Sequence, residues 1–241
     1  MKPFSYYDLL DAFTLSGCPV CRLLGLDAQR FLDSLLYENT MDIGIQQGMR
    51  ASRGLCNTHA WQLLEYKGNA AGIAVLSEAV LDELITLLRS DPGPAASGRS
   101  LRGLISKRDG TQTAAALDAR QGCLCCGLLD RTEANYLQTI ADHFSEGPMQ
   151  EAFRVSEGLC LPHFRQFVPL LRDPALLRLA IDAQARIWQH LKDELEQYLR
   201  QSGARATDEP MGAEGDSWQR AILAIAGDKR LFGMDGSRKK R

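Results

Sequence analysis

The 241-residue chain lacks any long apolar run. A helix needs about 20 mainly apolar residues to cross a bilayer, so no membrane partner is expected. The opening MKPFSYYDLLDAF carries acids early and has no unbroken apolar stretch, so no secretory signal is expected. A cytoplasmic location with reduced thiols follows as the expectation. Charge of one sign is scarce too. The formal net charge is −2, which argues against a general nucleic-acid binder. Catalytic signatures are missing: there is no Gly-rich phosphate loop, no H-E-x2-H and no G-x-S-x-G. A role other than catalysis is therefore expected. No segment alternates with period two for long enough to suggest a sheet. Hydrophobic residues at 45% and charged residues at 24% exclude a wholly disordered chain.

What is present is cysteine. There are seven: Cys18, Cys21, Cys56, Cys123, Cys125, Cys126 and Cys160. An odd count without a secretion signal argues against a disulfide framework and toward metal or redox chemistry. The cysteines fall into an internal repeat. GCPVC begins at Gly17, and MRASRGLCNTH ends at His59. GCLCC begins at Gly122, and FRVSEGLCLPH ends at His163. Arg50 and Ser52 match Arg154 and Ser156, and Leu10-Asp11-Ala12 echoes Leu117-Asp118-Ala119. The spacer from Cys21 to Cys56 is 34 residues, and that from Cys126 to Cys160 is 33. Duplication of a unit of about 100 residues accounts for this pattern.

Each unit reads as helical. Leu23, Leu24, Phe31, Leu32, Leu35 and Leu36 recur at helical spacing, as do Leu128, Leu129, Tyr136, Leu137 and Ile140. Shorter helices are expected near Met41 to Ser52 and Met149 to Val155, with a long helix after each histidine. Asp173-Pro174 reads as an N-cap followed by proline at the first helical position. Helix is expected again from about Thr113 into Gly122. The fold expected is all-α: two tandem three-helix, metal-stapled repeats and a flexible C-terminal tail. The first repeat is placed at 1–90, a breaker-rich linker at 91–112, the second repeat at 113–202 and the tail at 203–241. A short helix at 218–226, WQRAILAIA, is expected to dock on its own domain. From Lys229 to Arg241 the tail holds six basic residues against one acid and is read as a solvated end.

Three thiols and an imidazole per repeat suit a tetrahedral zinc ion. In sequence order, Cys18, Cys21, Cys56 and His59 make one set, and Cys123, Cys126, Cys160 and His163 the other. Each spacer is then a helical hairpin that leaves the ion and returns to it. Zinc is the expected ion, with an iron–sulfur cluster as the alternative. A c-type haem fails, since Arg22 and Gly127 follow the pairs where histidine is required. Asn57 or Thr58 and Pro162 suit helix starts, and Gly54 and Gly158 suit the swing of chain before each ligand pair. Cys125 is read as a neighbouring thiol with no role. His143 is read as a surface or satisfied histidine, His190 as solvent-facing, and Trp61 and Trp188 as core anchors.

With both units laid out, the chain resembles an uncharacterised bacterial family known as a domain of unknown function. The resemblance rests on the paired C-x2-C and G-L-C-x2-H motifs and covers about Tyr6 to Arg200. It carries over the same eight ligands and implies no activity. The function expected is a zinc-binding helical scaffold with an unidentified protein partner, and a homodimer is compatible with its long helices. An iron–sulfur or thiol-based redox protein is the alternative, and a nucleic-acid-binding regulator ranks below both.

Overall fold

The computed structural model describes residues 2–65, 69–89, 110–202 and 212–232, and no strand occurs among them. The helices are α1 (Phe4–Phe13), α2 (Pro19–Tyr37), α3 (Ile43–Ser52), α4 (Asn57–Gln62), α5 (Ala70–Arg89) and α6 (Gly110–Leu117). They are followed by α7 (Leu124–His143), α8 (Gly147–Val155), α9 (Leu161–Phe167), α10 (Pro174–Ser202), α11 (Ser217–Ala226) and α12 (Lys229–Phe232). The series α2–α3–α4–α5 and the series α7–α8–α9–α10 run in the same order, with a 3₁₀ turn after α4 and another after α9.

Local chemistry sets several ends. The Asp173 carboxylate accepts from the Ala175 N–H at 2.8 Å, so α10 starts with the expected Asp–Pro cap. Asp42 caps α3 the same way, accepting from Ile45 N at 2.8 Å. Helix α6 stops at Leu117 rather than running on to Gly122. Most of the expected linker, 90–109, and the stretches 203–211 and 233–241 lie outside the described residues.

The chain divides into two compact units that cut across the sequence repeats. Unit 1 is Met1–Ala28 with Leu129–Arg241, and unit 2 is Gln29–Leu128. The boundaries fall inside α2 and α7, not in the linker. A continuous apolar stripe explains how one helix serves both units. On α2, Val20, Leu24 and Ala28 are buried in unit 1, and Leu32, Leu35 and Leu36 in unit 2.

In unit 1, Phe13, Phe144, Phe153 and Phe167 interlock. Phe144 meets Phe153 and Phe167 with ring centroids 5.5 Å apart in each pair, edge to face. Helix α1 packs on α8, while α11 packs on α9 and α10. The Arg220 guanidinium on α11 pairs with Glu194 of α10 at 2.7 Å. The short C-terminal helix therefore docks on its own unit, as expected, and Leu231 of α12 is buried.

Unit 2 closes around Leu32, Leu35, Leu36, Met49, Leu63, Leu76 and Val80. Arg53 ties it together. It sits in the left-handed region at φ 58° just past α3. Its guanidinium donates to the final carbonyls of α6, Ala116 at 3.0 Å and Leu117 at 3.3 Å. These acceptors have no partner inside their own helix.

Trp61 corrects the sequence reading. It is 65% exposed and anchors no core, because α4 is one short helix that turns His59 inward and Trp61 outward. Trp188 is half-buried against Phe164, with centroids 5.7 Å apart. Phe153→Ala is expected to cost about 3–5 kcal/mol by opening a cavity among packed rings. Trp61→Ala should change stability by no more than about 0.5 kcal/mol. Chemical denaturation of both variants checks the contrast.

Candidate metal centres

Two sets of four side chains converge, and they are not the sets that sequence order suggests. The first joins Cys18, Cys21, Cys160 and His163, all in unit 1. The second joins Cys56, His59, Cys123 and Cys126, all in unit 2. Within each set the donor atoms lie within 4.8 Å of one another. Each C-x2-C pair thus meets the C-x2-H pair of the other repeat.

Helix length is the reason. Helix α2 has 19 residues and α3 only 10. At about 1.5 Å per residue these are roughly 28 Å out and 15 Å back. Helix α7 has 20 residues against 9 in α8. The hairpin is lopsided, so neither chain returns to the cysteine pair it left.

Each donor is placed by simple local structure. Cys18 and Cys123 immediately precede α2 and α7, and their carbonyls accept the first-turn amides of Arg22 and Gly127. Cys21 and Cys126 then lie in the first helical turn. Cys56 and Cys160 occupy the cap positions of α4 and α9 with nearly identical dihedrals, φ −63° ψ 165° and φ −65° ψ 159°. The cap position is thus taken by the candidate ligand cysteine itself, not by Asn57 or Thr58. His59 and His163 follow three residues later, on the same helix face. Gly54 at φ 90° and Gly158 at φ 68° make the bend before each pair, as expected.

The surroundings hold the two halves of each set together. The Gly17 N–H donates to Glu157 Oε2 at 2.9 Å, fastening the start of Cys18 to the loop before Cys160. In unit 2 the Arg120 N–H donates to the Ala51 carbonyl at 2.8 Å, just before Cys123.

Distances inside the sets are short and even. In the first, His163 Nδ1 is 3.3, 3.4 and 3.1 Å from the sulfurs of Cys18, Cys21 and Cys160. Cys21 and Cys160 sulfurs are 3.6 Å apart. In the second, His59 Nδ1 is 3.2, 3.6 and 3.4 Å from Cys56, Cys123 and Cys126. Cys56 and Cys126 sulfurs are 3.6 Å apart.

Electrostatics mark both as sites for positive charge. Burial works against a charged His59, but the thiols of Cys123, Cys125 and Cys56 outweigh it and push its pKa up to about 11. His163 is likewise raised, against its burial, by Cys18 and Cys160. Hydrogen bonds from Cys126 and Cys56 hold the Cys123 thiol far below its ordinary range. Burial would raise Cys18, yet hydrogen bonds with Cys160 and Cys21 and the His163 charge bring it well down. A metal cation bound here would take over the charge that the imidazolium supplies and displace the protons on the other thiols.

The outer partners differ. His163 Nε2 lies 2.9 Å from Glu133 Oε1, which also accepts from Gln166 Nε2 at 3.0 Å. His59 Nε2 is also buried, and thiols rather than a carboxylate act on its ring. Its ring has the Cys125 thiol as a neighbour. Cys125 is fully buried, and burial pushes its pKa up. His190 is exposed, and His143 ends α7 and pairs with Glu146 at 2.8 Å. Glu133 escaped the sequence reading. Its signal was a carboxylate on the buried stripe of α7, midway between Leu129 and Leu137.

A cavity of about 370 Å³ opens beside the first set, lined by Cys18, Cys160, Arg186, His190 and Leu223 among others. No helix among the described residues is long and apolar enough to cross a membrane.

A Cβ on Gly158 would stand 2.7 Å from Gln184 Oε1, while one on Gly54 meets nothing within 4 Å. Both glycines have positive φ, which costs other residues about 1–2 kcal/mol. Gly158→Ala should therefore destabilise the protein more than Gly54→Ala, by about 1 kcal/mol or more, as read by thermal melting.

No curated protein and no solved structure matches the chain. Its sequence matches the model of a family described as "Family of unknown function (DUF6062)" over residues 6–231, and the chain belongs to that family.

Proposed function

We propose that this protein is a zinc-stapled helical scaffold that engages a protein partner, with one structural zinc ion in each of its two Cys₃His sets. The observation that carries the reading is the convergence of three sulfurs and one nitrogen within 4.8 Å, twice. Zinc bonds of about 2.3 Å to sulfur and 2.0–2.1 Å to nitrogen place tetrahedral donors about 3.8 Å apart for two sulfurs and 3.6 Å for sulfur and nitrogen. The observed separations of 3.6 Å between sulfurs and 3.1–3.6 Å from sulfur to nitrogen fit one such ion, slightly contracted. In a multi-iron cluster the ligands are shared among several irons and spread apart, so a single ion fits better. Four protein donors fill a tetrahedron and leave no position for a substrate, which favours structure over catalysis.

The scaffold role is supported by surface chemistry. Leu81, Ile85 and Leu88 form an exposed stripe on α5 at helical spacing, and Trp218, Ile222 and Ile225 form another on α11. Exposed apolar helix faces of this kind suit protein partners.

A second reading, a thiol-based redox protein, draws on the buried Cys125 beside His59. An absorption spectrum tests the iron–sulfur form of the redox reading. Colourless protein with two zinc equivalents supports the scaffold, and visible absorption bands from bound iron would replace it.

Protein purified without chelators is expected to carry two zinc ions per chain by elemental analysis. Stripping them at neutral pH should lower the melting temperature steeply, because ligation energy is also folding energy. Unchanged helicity and melting after stripping would refute structural zinc. The crossed grouping has its own test. Cys56→Ser with Cys126→Ser should leave about one zinc bound, whereas Cys21→Ser with Cys56→Ser should abolish both. The reverse result would restore the grouping by sequence order.

A further inference from the structure

The two centres share donor chemistry but not surroundings. In the first, Cys18 is half-buried, but Cys21 and Cys160 are 5% and 1% exposed and His163 is fully buried. The His163 ring has a carboxylate beside its outer nitrogen. Glu133 Oε1 lies 2.9 Å from Nε2, and Gln166 donates to the same oxygen and holds it in place. A carboxylate behind a ligating histidine orients the ring and makes the inner nitrogen a stronger donor, and losing one typically weakens metal binding about 10- to 100-fold. In the second centre, Cys56, Cys123 and Cys126 are all half-buried. The His59 Nε2 is buried too, and the groups that act on its ring are the thiols of Cys123, Cys125 and Cys56, with no carboxylate among them. Cys125 is its neighbour, and a thiol is too weak a hydrogen-bonding group to do what Glu133 does. The duplicated pattern makes the difference legible: in the register that aligns Cys18 with Cys123, Glu133 corresponds to Ala28, which has no carboxylate to offer.

Resting on the reading of both sets as metal centres, we propose that they are functionally unequal. The Cys56–His59–Cys123–Cys126 centre is an exchangeable zinc site that yields its ion to a competing chelating ligand, while the Cys18–Cys21–Cys160–His163 centre retains its own. Two effects act in the same direction. An incoming ligand reaches half-exposed sulfurs more readily, and an imidazole without a carboxylate behind it lets go sooner. The cavity beside the first centre reaches Cys18 and Cys160, but Cys160 stays covered within it.

The test follows zinc release from the intact, zinc-loaded protein to the chromogenic chelator 4-(2-pyridylazo)resorcinol. Two equivalents should appear in two phases whose rates differ by about 10-fold or more. Cys123→Ser should remove the fast phase and keep the slow one. Glu133→Gln keeps all eight ligands, so it reports even where a cysteine variant fails to fold. It should accelerate the slow phase about 10-fold and leave the fast phase unchanged. Release of both ions at one rate, loss of the slow phase in Cys123→Ser, or no effect of Glu133→Gln would each overturn the inequality while leaving both centres standing. Failure of the protein to take up zinc at all would instead remove the metal reading on which the inequality rests.

Discussion

Everything else in this fold depends on the meeting of a cysteine pair with a cysteine–histidine pair far away in the chain. In the first set the partners are 139 to 145 residues apart, and in the second 64 to 70. Closing loops of that length carries an entropic penalty that grows slowly with length. Cross-links that close them stabilise by restricting the unfolded chain, and an ion with four donors does the same work as a covalent bridge while remaining removable. The apolar cores on either side are built to meet this constraint. The stripe along α2 runs unbroken from Val20 to Leu36, and α7 runs from Cys125 through Leu129 and Leu137 to Ile140. Both helices thereby hold a cysteine pair at one end and core residues along their length.

Electrostatics explains why the donor sets look poised. Three buried or half-buried thiols around an imidazole are costly as free anions unless a positive charge compensates them. The structure resolves this by lowering one thiol in each set and raising the histidine beside it, as seen at Cys123 with His59 and at Cys18 with His163. The backbone reinforces the arrangement, since Cys18 and Cys123 sit where α2 and α7 present their positive ends. A divalent cation, as proposed, would satisfy all of these demands at once.

Much of this was readable from residues alone. The all-α class followed from helical periodicity, the start of α10 from Asp173-Pro174, the short helix near Trp218 from its apolar run, and the eight side chains that converge in two sets from their spacing. The grouping of the donors was not readable, because it turns on a difference of about ten residues between outgoing and returning helices. Periodicity locates a helix more surely than it fixes its end. Glu133 was hidden because one acid in an apolar stripe looks like an irregularity until its histidine is seen. Trp61 misled for a related reason. A large aromatic next to a ligand pair suggests a core, yet a helix of six residues has only one face to bury, and His59 takes it.

The crossing of the ligand pairs also bears on biosynthesis. A chain emerging from the ribosome at roughly 5–20 residues per second exposes Cys18 and Cys21 many seconds before Cys160 and His163 exist. The Cys56–His59 pair likewise waits for Cys123 and Cys126. No stretch of the first hundred residues holds a complete donor set, so the nascent N-terminal half carries open half-sites that invite premature oxidation or capture of the wrong ion. On the proposed zinc reading, metallation would be an event of late translation, in which the later-made motifs finish what the earlier ones began.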